Sequence, residues 1–142
     1  RGVGESDGEY GHVVGEIEDA LAVLAYMQDH YPDKAVLLLG FSFGAHIAAS
    51  VANQVVVRLL VTVAPAVNHA DFSELTSISC PWLSVIAGDD ELIDLPASQA
   101  FIAKPPAPMQ ARVMTGASHF FHGRLIELRQ WILEFINEQQ NI

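Results

Sequence analysis

The sequence predicts an α/β fold built on a parallel, doubly wound sheet, and three observations lead there. The runs "KAVLLLGF", "RLLVTVAP" and "PWLSVIAG" are apolar throughout instead of alternating, the pattern of strands buried on both faces. Stretches of helical periodicity are inserted between such runs, which makes a sheet parallel with right-handed crossovers. The length of 142 residues suits one domain, residues 1–142, with a single core.

The elements follow in order from residue 13. "VVGEIEDALAVLAYMQDHY" carries Val14, Ile17, Leu21, Leu24 and Tyr26 at helical spacing, and Pro32 ends it. "KAVLLLGF" is then a short strand. "GAHIAASVANQ" is rich in small helix formers and reads as a helix packed closely on the sheet. "RLLVTVAP" and "PWLSVIAG" are the second and third strands, each stopped by Pro or Gly. "PASQAFIAK" is a short helix, and "KPPAP" a stiff loop. "QARVMTGA" is the fourth strand. The closing helix "RLIELRQWILEFINEQ" has Leu125, Leu128, Trp131, Ile132, Phe135 and Ile136 on one side.

Composition narrows the function. A formal net charge of −10 disfavours nucleic acid, whose phosphates need clustered Lys and Arg, and disfavours an anionic membrane surface. Cys80 is the only cysteine, so no intrachain disulfide can form; its place before Pro81 reads as a buried small hydrophobe. No run reaches the roughly 18 apolar residues of a membrane span, and no signal peptide opens the chain, which points to the cytoplasm. A small neutral or cationic ligand, or a protein, is the more natural partner.

In open parallel sheets, ligands bind beyond the carboxyl ends of the strands. Those positions hold Ser42, then "APAVNHAD", "GDDELID" and "GASHFFHG", so a serine, acids and histidines arrive in the order Ser, Asp, His. Gly40-Phe41-Ser42-Phe43-Gly44 fits G-x-S-x-G, a strained strand-to-helix turn whose flanking glycines avoid a bulky Cβ. The turn would expose the Ser42 hydroxyl at a helix N-terminus, where the Phe43 N–H can meet a developing oxyanion. A plain structural turn is the competing reading. His119 is placed to serve as base, with His122 three residues on; read as metal ligands the two lack a third partner, so no metal is expected. His46 reads as a packing or hydrogen-bonding residue of the following helix. Asp89, Asp90, Glu91 and Asp94 are the candidate acids, at least two of them solvated loop acids or helix caps.

These motifs resemble the α/β-hydrolase superfamily, in particular its small, lidless bacterial members related to dienelactone hydrolases and carboxylesterases. "RGVGESDG" is similar to the family's Arg-Gly loop, "GFSFGA" to its nucleophile elbow, "DDELID" to its acid loop and "GASHFFHGRL" to its histidine loop. The resemblance implies a serine hydrolase of small esters with Ser42, His119 and Asp90 as triad, Phe43 in the oxyanion hole, and no cofactor. The aliphatic tail of the acid loop places the acid at Asp90; counting from Gly88 places it at Glu91, and Asp89 is a further alternative. The chain begins inside the Arg-Gly loop, without the earlier strands of the family, roughly 60–70 residues at about 30 per βα unit. The connection that donates the second oxyanion N–H is among them. "KAVLLLGF" is therefore expected to be an exposed apolar edge, covered by further sequence of a longer protein or by another chain, as in a homo-oligomer. Residues 65–81 leave no room for a helical lid. Phe41, Phe43, Phe120 and Phe121 fit either core or an apolar pocket. A hydrolase-fold binding protein with an unproductive triad is the rival reading, and a nucleotide-binding domain a weaker one, because no G-x-x-x-x-G-K-[ST] is present.

Overall fold

The computed structural model describes residues 1–140. Strands β1 (Leu37–Phe41), β2 (Leu59–Val63), β3 (Trp82–Ala87) and β4 (Gln110–Met114) form one sheet in the order β1-β2-β3-β4. All three pairings are parallel, with Leu39 opposite Val61, Val61 opposite Leu83 and Val85 opposite Arg112. The helices are α1 (Val14–His30), α2 (Phe43–Ala52), α3 (Leu95–Ala103) and α4 (Leu125–Gln140). Among the described residues, no helix is long and apolar enough to cross a membrane.

The strand pleat divides the core in two. On one face Leu60, Trp82 and Ile86 pack with Leu24 of α1, Ala49 of α2 and Phe101 of α3. On the other, Leu59, Val61, Leu83, Val85 and Met114 pack against Phe135, Trp131 and Ile132 of α4. The small side chains Ala45 and Ala49 are fully buried, so α2 lies close on the sheet. Residues 64–81 join β2 to β3 without a helix; Phe72, Leu75 and Ile78 from this stretch enter the first core half in its place. Deep in that half the Trp82 indole N–H donates to Thr62 Oγ1 at 2.9 Å.

Only β2 and β3 are buried along their whole length. β1 and β4 form the two flanks of the four-stranded sheet; of the two expectations for β1, burial on both faces fails and an exposed apolar edge holds. Leu37, Leu39 and Phe41 of β1 are exposed because no β1 side chain joins the α4-side core. Val113 of β4 is exposed as well. The apolar stripe of α1 is Ile17, Ala20, Leu21 and Leu24, while Val14 and Tyr26 are exposed. Tyr26 follows Leu24 by two residues, which turns it off the stripe, and its ring stacks on His30 at 3.9 Å. Leu125, the first residue of α4, is likewise exposed.

The opening loop is clamped onto α1. The Arg1 guanidinium donates to both carboxylate oxygens of Asp19, at 3.0 and 2.7 Å. Gly15 makes room for it: a Cβ there would lie 2.6 Å from Arg1 Nη1. One turn back, the Glu16 carboxylate accepts the N–H groups of Gly11 at 2.6 Å and of the N-cap residue Val13 at 2.9 Å, tying the loop to the start of the helix. The hydrogen bond from Arg1 holds the Asp19 carboxyl well below the usual range, and the Gly11 N–H lowers that of Glu16.

Two outcomes are expected. Leu83→Ala opens a cavity where nothing is exposed and lowers stability by ~2–5 kcal/mol, read from the denaturant midpoint. Depressed carboxyl values mean that the native state binds fewer protons than the unfolded one. The stability they contribute is complete above the ordinary values of 3.8 for Asp and 4.5 for Glu, and is lost as pH falls toward the lower folded values. Asp19→Asn therefore flattens the acid side of a stability-versus-pH curve.

Candidate active site

A single residue, Ser42, separates the end of β1 from the start of α2, and it has φ 52° and ψ −116°. A non-glycine residue in this region is strained by ~1–3 kcal/mol and persists only where its surroundings impose it. Three contacts impose it here. The Ser42 N–H donates to the Val63 carbonyl at the end of β2 at 2.8 Å. The Ser42 carbonyl accepts the N–H groups of Ala45 at 3.1 Å and Ala66 at 3.4 Å. Gly40 lets the helix start fold back on the strand: a Cβ there would collide with the Gly44 carbonyl and lie 2.7 Å from Ala45 Cα. The half-buried Ser42 is thus held at the carboxyl edge of the sheet. The Phe43 N–H is the first amide of α2, one of the four that a helix leaves without an intrahelical acceptor.

His119 arrives from the loop after β4. Its Nε2 lies 3.0 Å from Ser42 Oγ and its Nδ1 2.8 Å from Asp90 Oδ2. The His119 and Asp90 side chains are almost fully buried. Asp90 Oδ1 accepts the N–H groups of Leu92 and Ile93, both at 2.8 Å, so each carboxylate oxygen has a donor. The two loops are also joined by main chain: the Gly88 N–H donates to the Met114 carbonyl and the Asp89 N–H to the Ala117 carbonyl, both at 2.9 Å. Glu91, exposed beside them, accepts the His119 backbone N–H through Oε2 at 2.9 Å. That bond is the largest of the influences lowering its carboxyl below the usual range. Among the described residues, no three His, Cys, Asp or Glu side chains are grouped to hold a metal ion. The arrangement is a hydrogen-bonded line from a hydroxyl, through an imidazole, to a carboxylate fixed from behind.

The Dienelactone hydrolase family profile matches residues 5–129. The chain belongs to this family. An uncharacterised protein of Rickettsia prowazekii (strain Madrid E) is 31% identical over 150 aligned positions, covering 96% of this chain and 61% of the relative. The solved structure of an α/β serine hydrolase homologue from Coxiella burnetii superposes with a TM-score of 0.88 at 46% identity, covering 94% of this chain and 64% of that one. A lidless α/β serine hydrolase from Xanthomonas campestris gives a TM-score of 0.89 at 31% identity, over 97% of this chain and 63% of that one. The chain spans about three fifths of the length of these relatives.

Within this dienelactone-hydrolase-family fold, the remaining candidates separate. Asp89 and Asp94 are exposed, and Glu91 contacts the His119 main chain instead of its ring. His122 reaches only the Phe120 ring, at 5.8 Å between centroids. His46 lies in α2 with its Nε2 3.0 Å from the Asp71 carbonyl and its ring against Phe72. Cys80 precedes β3 at the opposite end of the sheet; it packs half-buried against the core, and burial pushes its thiol up. Of the four phenylalanines, Phe121 alone is core. Phe41 and Phe120 are exposed with their rings 5.1 and 5.0 Å from that of His119, and Phe43 is exposed against Tyr10.

The two glycines of the elbow are not equivalent. The sequence reading that both flanks must lack a Cβ holds for Gly40 and fails for Gly44, where a Cβ would meet nothing within 4 Å. Gly40→Ala is therefore expected to lower stability by ~1–3 kcal/mol through overpacking and to disturb the Ser42 hydroxyl, whereas Gly44→Ala is tolerated. Melting temperatures of the two variants test this directly.

Proposed function

We propose that the chain carries the nucleophilic site of a serine hydrolase acting on carboxylic esters or related acyl compounds. The observation that supports this reading is the continuous hydrogen-bonded line Ser42 Oγ, His119 Nε2, His119 Nδ1, Asp90 Oδ2 at the carboxyl edge of the sheet. An acceptor at Nδ1 fixes the tautomer in which Nδ1 carries the hydrogen and Nε2 is free to accept one. Ser42 Oγ attacks the acyl carbon as its proton passes to His119 Nε2, and Asp90 stabilises the imidazolium. The charge that develops on the carbonyl oxygen meets the Phe43 N–H, an interaction of a kind worth about 10²–10³ in rate per donor. The imidazolium then protonates the leaving alcohol as the tetrahedral adduct collapses to an acyl-serine. A water, deprotonated by the same nitrogen, releases the acid and restores Ser42.

The exposed rings of Phe41, Phe43 and Phe120 favour small esters with an apolar acyl or alcohol part, and the helix-free connection over residues 64–81 leaves the approach open. Fluorophosphonate treatment of the full-length protein tests the reading. The wild type is expected to be labelled at Ser42, Ser42→Ala not at all, and Asp90→Asn to lower ester turnover by roughly 10⁴-fold through the wrong tautomer. An unlabelled wild type, or a Ser42→Ala protein labelled equally, overturns the proposal.

A further inference from the structure

We infer that Glu91 is a positioning residue for His119, holding the base by its main chain while Asp90 holds it by its ring. The inference rests on the hydrolase reading above, in which His119 moves the proton.

Main-chain pairing between the acid loop and the histidine loop runs from Gly88–Met114 to Asp89–Ala117 and then stops, two residues short of His119. The histidine loop is irregular there: Gly116, Phe121 and Gly123 have φ of 77°, 53° and 73°. His119 is only 1% exposed, so its N–H has little access to water and needs an acceptor inside the protein. The Glu91 carboxylate supplies it at 2.9 Å, adding a third rung to the two main-chain ones. Consecutive acids of one loop thus grip a single residue at two points, main chain and ring. The Asp90 contact and the surrounding side chains hold the ring, and the Glu91 contact fixes the main chain from which the ring is carried. A displacement of about 1 Å at such a group can cost on the order of 10²-fold in rate. The charge has its own consequence. Glu91 faces His119 and Asp90; it attracts the imidazolium, and its carboxyl lies below the usual range, so it is ionised at neutral pH.

The test is the second-order rate of fluorophosphonate labelling against pH in the full-length protein, with Glu91→Gln, Glu91→Ala and the melting temperature of each. Glu91→Gln keeps an acceptor and loses the charge. Its plateau rate should stay within about threefold of wild type, with the acid limb moved to lower pH because the imidazolium loses an attracting neighbour. Glu91→Ala loses both, and its plateau rate should fall roughly tenfold or more. A purely structural role would lower the melting temperature and leave the acid limb where it was. If Glu91→Ala fails to fold, the Glu91→Gln limb decides. A labelled wild type with both variants unchanged in plateau and limb overturns this inference alone. An unlabelled wild type overturns the hydrolase reading and the inference with it.

Discussion

One imidazole joins three strand ends. His119 comes from the loop after β4 and meets Ser42 after β1 and Asp90 after β3, at 3.0 and 2.8 Å. Those three residues share an edge only because every strand runs the same way. In the order β1-β2-β3-β4 the outer strands are three spacings apart, about 14 Å at ~4.8 Å per spacing. The histidine loop therefore has to lean back across β3 and β2 to reach the serine. On the other side, the Ser42 N–H adds a last rung to the β1–β2 ladder, at the Val63 carbonyl, and so fixes the serine to the end of β2. The rungs between the acid and histidine loops lie in the space that this crossing requires.

Three of the five non-glycine residues with positive φ among the described residues lie at this edge; the other two, His12 and Val13, precede α1. Ser42, Ala64 and Phe121 have φ of 52°, 43° and 53°, at or beyond the carboxyl ends of β1, β2 and β4. Each such residue costs ~1–3 kcal/mol. The compensation comes from the sheet behind them, where each fully buried Leu or Val contributes about 1.5–3 kcal/mol. Leu60, Leu83 and Val85 are among those with no exposure at all. A rigid two-faced core is what permits three strained turns at one edge.

The order of elements was legible because continuous apolar runs and Pro or Gly stops are local signals. The run "LLLGF" alone reads the same in a central strand as at an edge; the exposed edge at β1 was expected only through the family resemblance, and the position of α4 leaves Leu37 and Leu39 facing outward. Ser42 and His119 were legible from motif and order. The elbow glycines were read as a pair, yet the fold-back of α2 crowds only Gly40. Likewise four phenylalanines around the motifs look alike in sequence, and a turn at Phe121 sends that one inward and leaves Phe41, Phe43 and Phe120 outside.

Glu91 was legible only as a rival to Asp90, and the reason lies in how the acid loop turns. The Leu92 and Ile93 N–H groups fold back onto Asp90 Oδ1, and the Ile93 side chain is buried while Leu92 is exposed. Burying Ile93 anchors this turn and commits the Asp90 carboxylate inward, where its second oxygen meets the imidazole. Its neighbour then necessarily points along the surface, toward the histidine main chain. Two adjacent carboxylates of nearly equal intrinsic chemistry thus receive different partners from a single aliphatic side chain three residues on. Residue type specifies an acid; the direction of the turn specifies what the acid can touch.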